Sequence, residues 1–392
     1  VDINLFLLQL STVLALLAGG MGVSLLGSVK VPLARKLDID EAKVGGLISV
    51  FGFAIIPVML TTGFLTDMIN KQVILVGGAV LMAVGLILLA RAKRYVLALL
   101  AVLMLSASWS GQINVVNVIQ FKAFQGEPAF VTNLANFFFG LGAFLTPLVV
   151  TFMLRKAGFK PAMAVLAGFM VLVAIAAFAV DFTEFYPAVA ADVDGKNINS
   201  QPPPGIDVLL RDPILWLAAM GLFFLSPIEV GVTTWITTFL GENGLSEAAA
   251  AIVLSVFWLI YMFARLGAAF ILPAGYETVF ILIGSVLCIA VLAGMVFSRS
   301  GKWAVAMVAL SAIIFGPLFP TIIAVLLSNT PESLHGRAVG IFFAVGGIGW
   351  TLIPMLMGAY AQRTSIQRGF LMAMLSAVGL TIVAALMLVS VG

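Results

Sequence analysis

Charge is what this sequence of 392 residues has least of: Asp, Glu, Lys and Arg together make up 9% of it. It carries one cysteine, Cys288, and one histidine, His335. A lone cysteine has no intrachain disulfide partner, and a lone histidine cannot build an all-histidine metal site within one chain. Cys288 lies in an apolar stretch and reads as a small packing residue. His335 falls between two apolar stretches, where a solvated loop position is expected. No phosphate-cradling loop of the Gly-x-x-x-x-Gly-Lys-[Ser/Thr] kind occurs, which argues against an ATP-driven pump. No nucleophile–base–acid set or metal-ligand cluster stands out, so neither an enzyme nor a bound cofactor or metal is expected. The net charge of +3 is spread through loops without a basic run, so nucleic acid is not an expected partner.

What is abundant is apolarity. Hydrophobic residues make up 62% of the chain, and the mean hydropathy is +1.19. Apolar segments long enough to cross a bilayer recur from end to end. The expectation is an all-α, polytopic membrane protein with spans at about 5–29, 44–66, 72–92, 95–121, 129–154, 161–181, 213–240, 247–272, 276–298, 302–328, 337–361 and 368–390. The first run continues to Val29, too long for the core of a cleaved signal peptide. Between the sixth and seventh spans lie Asp181, Glu184, Asp192, Asp194, Asp207 and Asp212, with a Pro202-Pro203-Pro204-Gly205 break. That stretch reads as a polar linker and not a domain, since it has no apolar periodicity and is too short for a core of its own.

The halves repeat. Ser49-Val50-Phe51 recurs as Ser255-Val256-Phe257 (255 − 49 = 206), and Ile74-Leu75-Val76-Gly77 as Ile281-Leu282-Ile283-Gly284 (281 − 74 = 207). Phe137, Gly140 and Pro147 match Phe343, Gly346 and Pro354 at the same spacing. A near-constant offset across three spans predicts two pseudo-symmetric six-helix bundles, 1–181 and 213–392, joined by a linker at 182–212. A parallel repeat of this kind places a solute site between the halves, near the midplane. Glycines in spans 1, 5 and 11 predict close helix packing. Pro147 and Pro354 predict matched kinks.

One region departs from the apolar rule. Trp109, Gln112, Asn114, Asn117 and Gln120 precede a short break, after which come Asn133 and Asn136. At about 100° per residue, Asn114, Asn117 and Gln120 share an arc of roughly 120°. Carboxamides in hydrocarbon need hydrogen-bond partners. Two readings fit: the faces line a polar cavity with Trp109 and the Phe137-Phe138-Phe139 run as aromatic walls, or the amides are interhelical glue. Glu229 is the one acid near the middle of any span. An ionised carboxylate there costs roughly 2.5–3.5 kcal/mol on insertion scales, which makes it a candidate protonatable or cation-binding site. A structural, hydrogen-bonded carboxyl is the other reading. Arg265 lies near enough to the end of its span to snorkel. Arg337 stands at a helix start, an unfavourable place for a cation, so a carboxylate partner is expected, with Glu332 the nearest in sequence.

After span 2 the chain reads Gly63-Phe64-Leu65-Thr66-Asp67-Met68-Ile69-Asn70-Lys71-Gln72. This resembles the Gly-x-Leu-x-Asp-x-x-Gly-Arg-[Lys/Arg] loop between helices 2 and 3 of the major facilitator superfamily. Gly63, Leu65 and Asp67 match; Asn70, Lys71 and Gln72 depart from it. Arg265-Leu266-Gly267 is a remnant of the same loop in the second half. The resemblance implies a cytoplasmic loop whose Asp67, with Lys71, braces helix ends in the outward-open state. The run from Asn133 to Pro147, Glu229 with Trp235, and Gly336-Arg337-Ala338 leading into Gly346-Gly347 resemble fucose-permease-like facilitators. Spans 1 and 4 lack the acids that fucose permeases carry.

Lys and Arg crowd the odd-numbered loops, from Lys30, Arg35, Lys36 and Lys43 to Arg363 and Arg368. The even-numbered loops hold Lys71, Lys122, Lys196, Arg211 and Arg337. The positive-inside rule would place the N-terminus outside, whereas the resemblance implies both termini and the linker in the cytoplasm, in a bacterial inner membrane; the family topology is the expectation adopted. The expected function is secondary active transport of a small polar solute, a sugar as first guess. Its solute residues are Trp109, Gln112, Asn114, Asn117, Gln120, Asn133, Asn136, Trp235 and Trp258. Glu229 is the coupling group, and Gly63, Asp67, Lys71, Arg265 and Arg337 form the gate. A proton is the expected coupling ion, with sodium or no coupling as alternatives; a monomer in the lipid bilayer is expected. The Phe-rich interior and 17 Met residues would also suit an exporter of amphipathic or lipophilic compounds. A membrane sensor on the same fold is the third class, but these 392 residues leave no room for its soluble domain.

Overall fold

The computed structural model describes residues 2–186 and 205–391. In hydrocarbon only a helix or a closed barrel satisfies every backbone N–H and C=O, and this chain takes the helical solution. The first bundle comprises α1 (Ile3–Ser28), α2 (Glu41–Met68), α3 (Lys71–Arg91), α4 (Tyr95–Ala123), α5 (Pro128–Lys156) and α6 (Phe159–Phe178). The second comprises α7 (Pro213–Glu242), α8 (Glu247–Ile271), α9 (Glu277–Val296), α10 (Gly301–Ser328), α11 (His335–Ala361) and α12 (Ile366–Val391). All 12 are long and apolar enough to cross a membrane. Their boundaries fall within a few residues of the expected spans. The polar loops supply the caps: Asp40, Ser246 and Ser300 accept from the backbone N–H groups of Lys43, Ala249 and Trp303.

Short helical turns stand at both ends of the linker. Phe182–Phe185 forms a helical turn capped by Asp181, and Ile206–Arg211 forms another. Asp192, Asp194, Lys196, Asn197 and the Pro202-Pro203-Pro204 run lie outside the described residues. The cap explains the first turn: Asp181 accepts from Thr183 N and Thr183 Oγ1, and these two bonds hold its exposed carboxyl below the usual carboxylate range.

The two bundles pack alike. α1 crosses α5 as α7 crosses α11, and α3 lies on α6 as α9 lies on α12. A Cβ at Gly142 of α5 would fall on the Leu17 carbonyl of α1. One at Gly349 of α11, the repeat-equivalent position, would fall on the Phe223 carbonyl of α7. Only glycine permits backbones to approach this closely. Helices α5 and α11 run on through Pro147 and Pro354.

Symmetry fails at α10. The expected single span consists of two helices, Gly301–Phe315 and Leu318–Ser328. The sequence Gly316-Pro317-Leu318-Phe319-Pro320 explains the break. Pro317 has no N–H for the Ile313 carbonyl, and Pro320 has none for the Gly316 carbonyl. The freed Gly316 oxygen becomes an acceptor inside the second bundle. Helix α4, its counterpart, is unbroken.

The halves meet along two seams, α2 against α11 and α5 against α8. Among the described residues, all hydrogen bonds between the halves lie from the middle of the bundle toward the end that carries Asp67. Toward the other end the seam opens: a Cβ added at Gly52, one turn beyond Ile56 on the α11-facing side of α2, would meet nothing within 4 Å.

Candidate functional site

The closed end is built around Asp67. Its carboxylate accepts from Gly336 N at 2.8 Å and Arg337 N at 3.0 Å, capping the start of α11 from across the seam. Arg337 Nε stands 3.5 Å from the same carboxylate, and its guanidinium lies over the Phe64 ring. The partner of Arg337 is therefore Asp67, not Glu332. Glu332 pairs instead with Lys122 at 3.1 Å. Gly63 is required here, because a Cβ on it would come within 2.7 Å of the Gly336 carbonyl. Among the described residues no carboxylate lies within ion-pair distance of Lys71; its ammonium sits 4.2 Å from the centre of the Tyr186 ring. Burial keeps the Tyr186 phenol protonated well above its ordinary range. His335 is not a solvated loop residue. It begins α11, is buried, and shares a hydrogen bond with the Thr330 carbonyl at 2.9 Å.

The carboxamides lie above this floor and are buried. Two of them face the other half. Asn114 donates to the Gly336 carbonyl of α11 at 3.1 Å, and Asn133 to Thr321 Oγ1 of α10 at 3.3 Å and to the Ala129 carbonyl. Gln112 donates to Ser108 Oγ, Asn117 to the Ile113 carbonyl, Gln120 to the Asn117 carbonyl and Asn136 to the Thr132 carbonyl. Every amide nitrogen is thus engaged within the protein, which favours the glue reading for the donors. The acceptors differ: Gln112 Oε1, Asn114 Oδ1 and Asn133 Oδ1 are buried without a partner. Trp109 is spent on packing, its indole N–H donating to the Gly19 carbonyl of α1 at 2.8 Å. Trp235 packs against Gly358 with its Nε1 buried and unpartnered. Trp258 is exposed.

The centre of the molecule holds a group that sequence reasoning had dispersed. Arg265 does not snorkel. It is buried, donating from Nε to the freed Gly316 carbonyl at 2.8 Å and from Nη2 to the Tyr261 hydroxyl at 2.8 Å. From Nη1 it reaches across the seam to the Asn136 carbonyl at 3.4 Å. Its guanidinium stacks 4.4 Å from the centre of the Tyr261 ring. Glu229, near the middle of α7, lies beside the same Tyr261 hydroxyl and within electrostatic reach of Arg265. Its Oε1 is buried without a partner. Tyr261 had not been singled out, although it lies four residues before Arg265 on the same helical face. Trp258, three residues before Tyr261, stacks edge-on against it at 5.4 Å and extends the face toward the open end. The Gly316-Pro317 and Pro320 pattern was the sequence signal that an acceptor would be free for this arginine.

A cleft of about 700 Å³ lies under the closed end, lined by Asp67, Lys71, Lys122, Tyr186 and Glu332 among others. It is remote from Glu229 and Arg265 and takes no part in the central arrangement.

Comparisons with known proteins agree with the fold. The model of the Major Facilitator Superfamily matches residues 12–354. Bypass of stop codon protein 6 of Saccharomyces cerevisiae is 30% identical over 180 residues, which is 43% of this chain and 36% of that protein. The matched stretch is thus about a third of the length of that relative. Among solved structures, the transporter FucP in the outward conformation superposes with a TM-score of 0.78 at 15% identity, covering 96% of this chain and 97% of that one. The proton:xylose symporter XylE, bound to 6-bromo-6-deoxy-D-glucose, gives 0.80 at 12% identity, covering 98% and 95%.

Proposed function

The chain belongs to the Major Facilitator Superfamily, and on that premise we propose that it moves a small polar organic solute across the membrane by alternating access, coupled to protons through Glu229. The observation that carries this reading is the buried cluster of Glu229, Tyr261 and Arg265 at the seam between the halves. Arg265 touches both bundles there, so a change at Glu229 is felt at the contact that opening must break. Proton–solute symport is the activity named for the xylose carrier that shares the fold. Unpartnered acceptors on Gln112, Asn114 and Asn133 suit hydroxyl donors of a polyol or sugar. The closed end carrying Asp67 is assigned to the cytoplasm of a bacterial inner membrane, with 1–181 and 213–392 as the moving units and 182–212 as their tether.

Alternating access exposes Glu229 to each side in turn. Linkage then requires that proton and solute change each other's affinity by the same factor. In proteoliposomes, Glu229→Gln is expected to retain solute exchange and to lose accumulation driven by a pH gradient. Accumulation at the wild-type level in that variant would remove the coupling residue, and uptake that follows sodium in place of protons would keep the site and replace the ion. A cysteine at the exposed Ser333 tests the sidedness: labelling by an impermeant reagent from outside the cell would invert the assignment. The exporter reading keeps one specific support, the aromatic lining of the α5–α8 seam by Phe130, Phe137, Phe263 and Phe270. A thermal-shift screen with sugars, organic acids and lipophilic cations separates the two classes.

A further inference from the structure

Arg265 is a full charge at the heart of a membrane protein, and among the described residues no carboxylate lies within ion-pair distance of it. A guanidinium has five N–H donors. Hydrogen bonds to the Gly316 carbonyl, the Tyr261 hydroxyl and the Asn136 carbonyl engage three, which leaves two. Glu229 faces the same hydroxyl with one carboxyl oxygen buried and unpartnered. Both members of this opposite-charge pair are therefore under-satisfied, held apart by Tyr261. Burying a charge is costly unless it is paired and hydrogen-bonded, so the arrangement calls for a third group. Tyr261 and the exposed Trp258 stack edge-on beside it, Trp258 on the side of the open end.

Resting on the transporter reading above, we propose that Arg265 is the anchor for a carboxylate on the solute, so that the cargo is an organic monoanion carried together with the proton on Glu229. A carboxylate matches the two free donors of a guanidinium, and one fixed cation neutralises one anion. Bound there, it stands beside Glu229 and repels the ionised form of that side chain, so solute and proton enter together. The charge balance closes: the empty site holds Arg⁺ and Glu⁻, and the loaded site holds Arg⁺, neutral Glu and the bound carboxylate. The loading step is electroneutral. The other ionisable groups facing Glu229 are Tyr261 on α8 and Cys288 on α9. Helices α10, α11 and α12 carry ionisable side chains only toward their ends, at Lys302, at His335, Arg337 and Tyr360, and at Arg368. Glu229 is thus the group positioned to take the compensating proton.

The test is thermal stabilisation of the purified full chain by matched pairs, D-gluconate against D-glucitol and L-lactate against lactamide, at pH 5.5 and pH 8, with a lipophilic cation as a third arm. The carboxylate of a pair is expected to stabilise and its neutral mate not to. Because one proton accompanies each carboxylate, the apparent affinity should fall by about tenfold per pH unit once Glu229 has ionised. Glu229→Gln should bind the carboxylate equally at both pH values. Arg265→Lys, which keeps the charge and loses the fork, should bind more weakly while eluting as a monodisperse protein, and Arg265→Gln should not bind. Stabilisation by the neutral member alone, sensitive to Asn136→Ala, would overturn the anion assignment and leave polar-solute transport standing. Stabilisation by the lipophilic cation alone would overturn both. A carboxylate effect that survives Arg265→Gln, or no carboxylate effect at either pH, would overturn the site.

Discussion

The two seams that join the halves occupy repeat-equivalent positions and are built from opposite materials. On the α2–α11 seam Gly63, Gly336 and Gly340 bring backbones together, and Asp67 caps a helix from across the gap. On the α5–α8 seam, Phe270, next to Ala269 at the position equivalent to Gly63 (269 − 63 = 206), stacks edge-on against Phe130 at 5.5 Å. Phe137 leans on Phe263 at 6.0 Å, and the buried Arg265 supplies the polar contact. One seam is a close-fitting latch with its charge at the rim. The other is a layer of rings with its charge in the middle. A duplicated bundle can therefore divide the labour of holding its halves together, one seam by backbone fit and the other by stacked rings.

If that division holds, added volume should damage the first seam far more than removed volume damages the second. A Cβ at Gly340 would lie 2.6 Å from the Met59 carbonyl, a backbone atom that cannot step aside. Gly340→Val is expected to destabilise the closed end by about 3 kcal/mol or more, the upper range of overpacking. The check is spin-label distances across the closed end, which should lengthen. The mirror experiment is Phe270→Ala. Phe270 is 71% exposed, so the loss should be nearer the roughly 0.5–1.5 kcal/mol of an aromatic pair. Equal effects from the two changes would remove the distinction between the seams.

Next in size is Asp67→Ala. The side chain is 3% exposed and carries two backbone hydrogen bonds and the Arg337 contact. Charge-assisted bonds to a buried carboxylate contribute about 1.5–3 kcal/mol each, though relaxation of α11 recovers part of that. A loss of about 2–4 kcal/mol from the closed end is expected, read as protease or cysteine-reagent access to Gly336 and its neighbours. Asp67→Asn should retain part of it, because the amide oxygen still accepts one bond. If Asp67→Ala leaves access unchanged, the latch is held by the glycine fit alone.

Most of the fold was legible in the sequence because a bilayer leaves so few solutions. Span length and the loop at Gly63–Gln72 sufficed for the helices and the family. The candidate site was legible only in pieces. Periodicity put Asn114 and Asn133 on faces, but not on which neighbour, since the distance between α4, α10 and α11 in space is not encoded in spacing along the chain. Glu229 stood out because a mid-span acid is costly. Arg265 was misread because its depth was judged by distance from a helix end, whereas a buried acceptor, Gly316, held it inside. That acceptor was written in Pro320, four residues on, where a missing N–H frees a carbonyl.

The smallest expected effect bears on whether charge at the rim matters by location or by number. Lys122 and Glu332 pair at 3.1 Å across the same closed end as Asp67 and Arg337, yet their side chains are 37% and 52% exposed. Water screens them, and holding two long side chains in one geometry loses entropy, so exposed pairs contribute about 0–1 kcal/mol. Lys122 also lies 5.8 Å from the centre of the Tyr186 ring, a contact that Lys122→Met would partly keep through its apolar stem. Lys122→Met should therefore shift the closed-end population by at most about 1 kcal/mol, and the shift should vanish near 1 M salt, where the Debye length falls to about 3 Å. The Asp67 effect should persist at that salt, because its partners are backbone N–H groups and its side chain is buried. Should Lys122→Met open the closed end as far as Asp67→Ala does, and do so at high salt as well, then the latch is a distributed ring of charge. Its contrast with the α5–α8 seam would then rest on amount of charge, not on where the charge is buried.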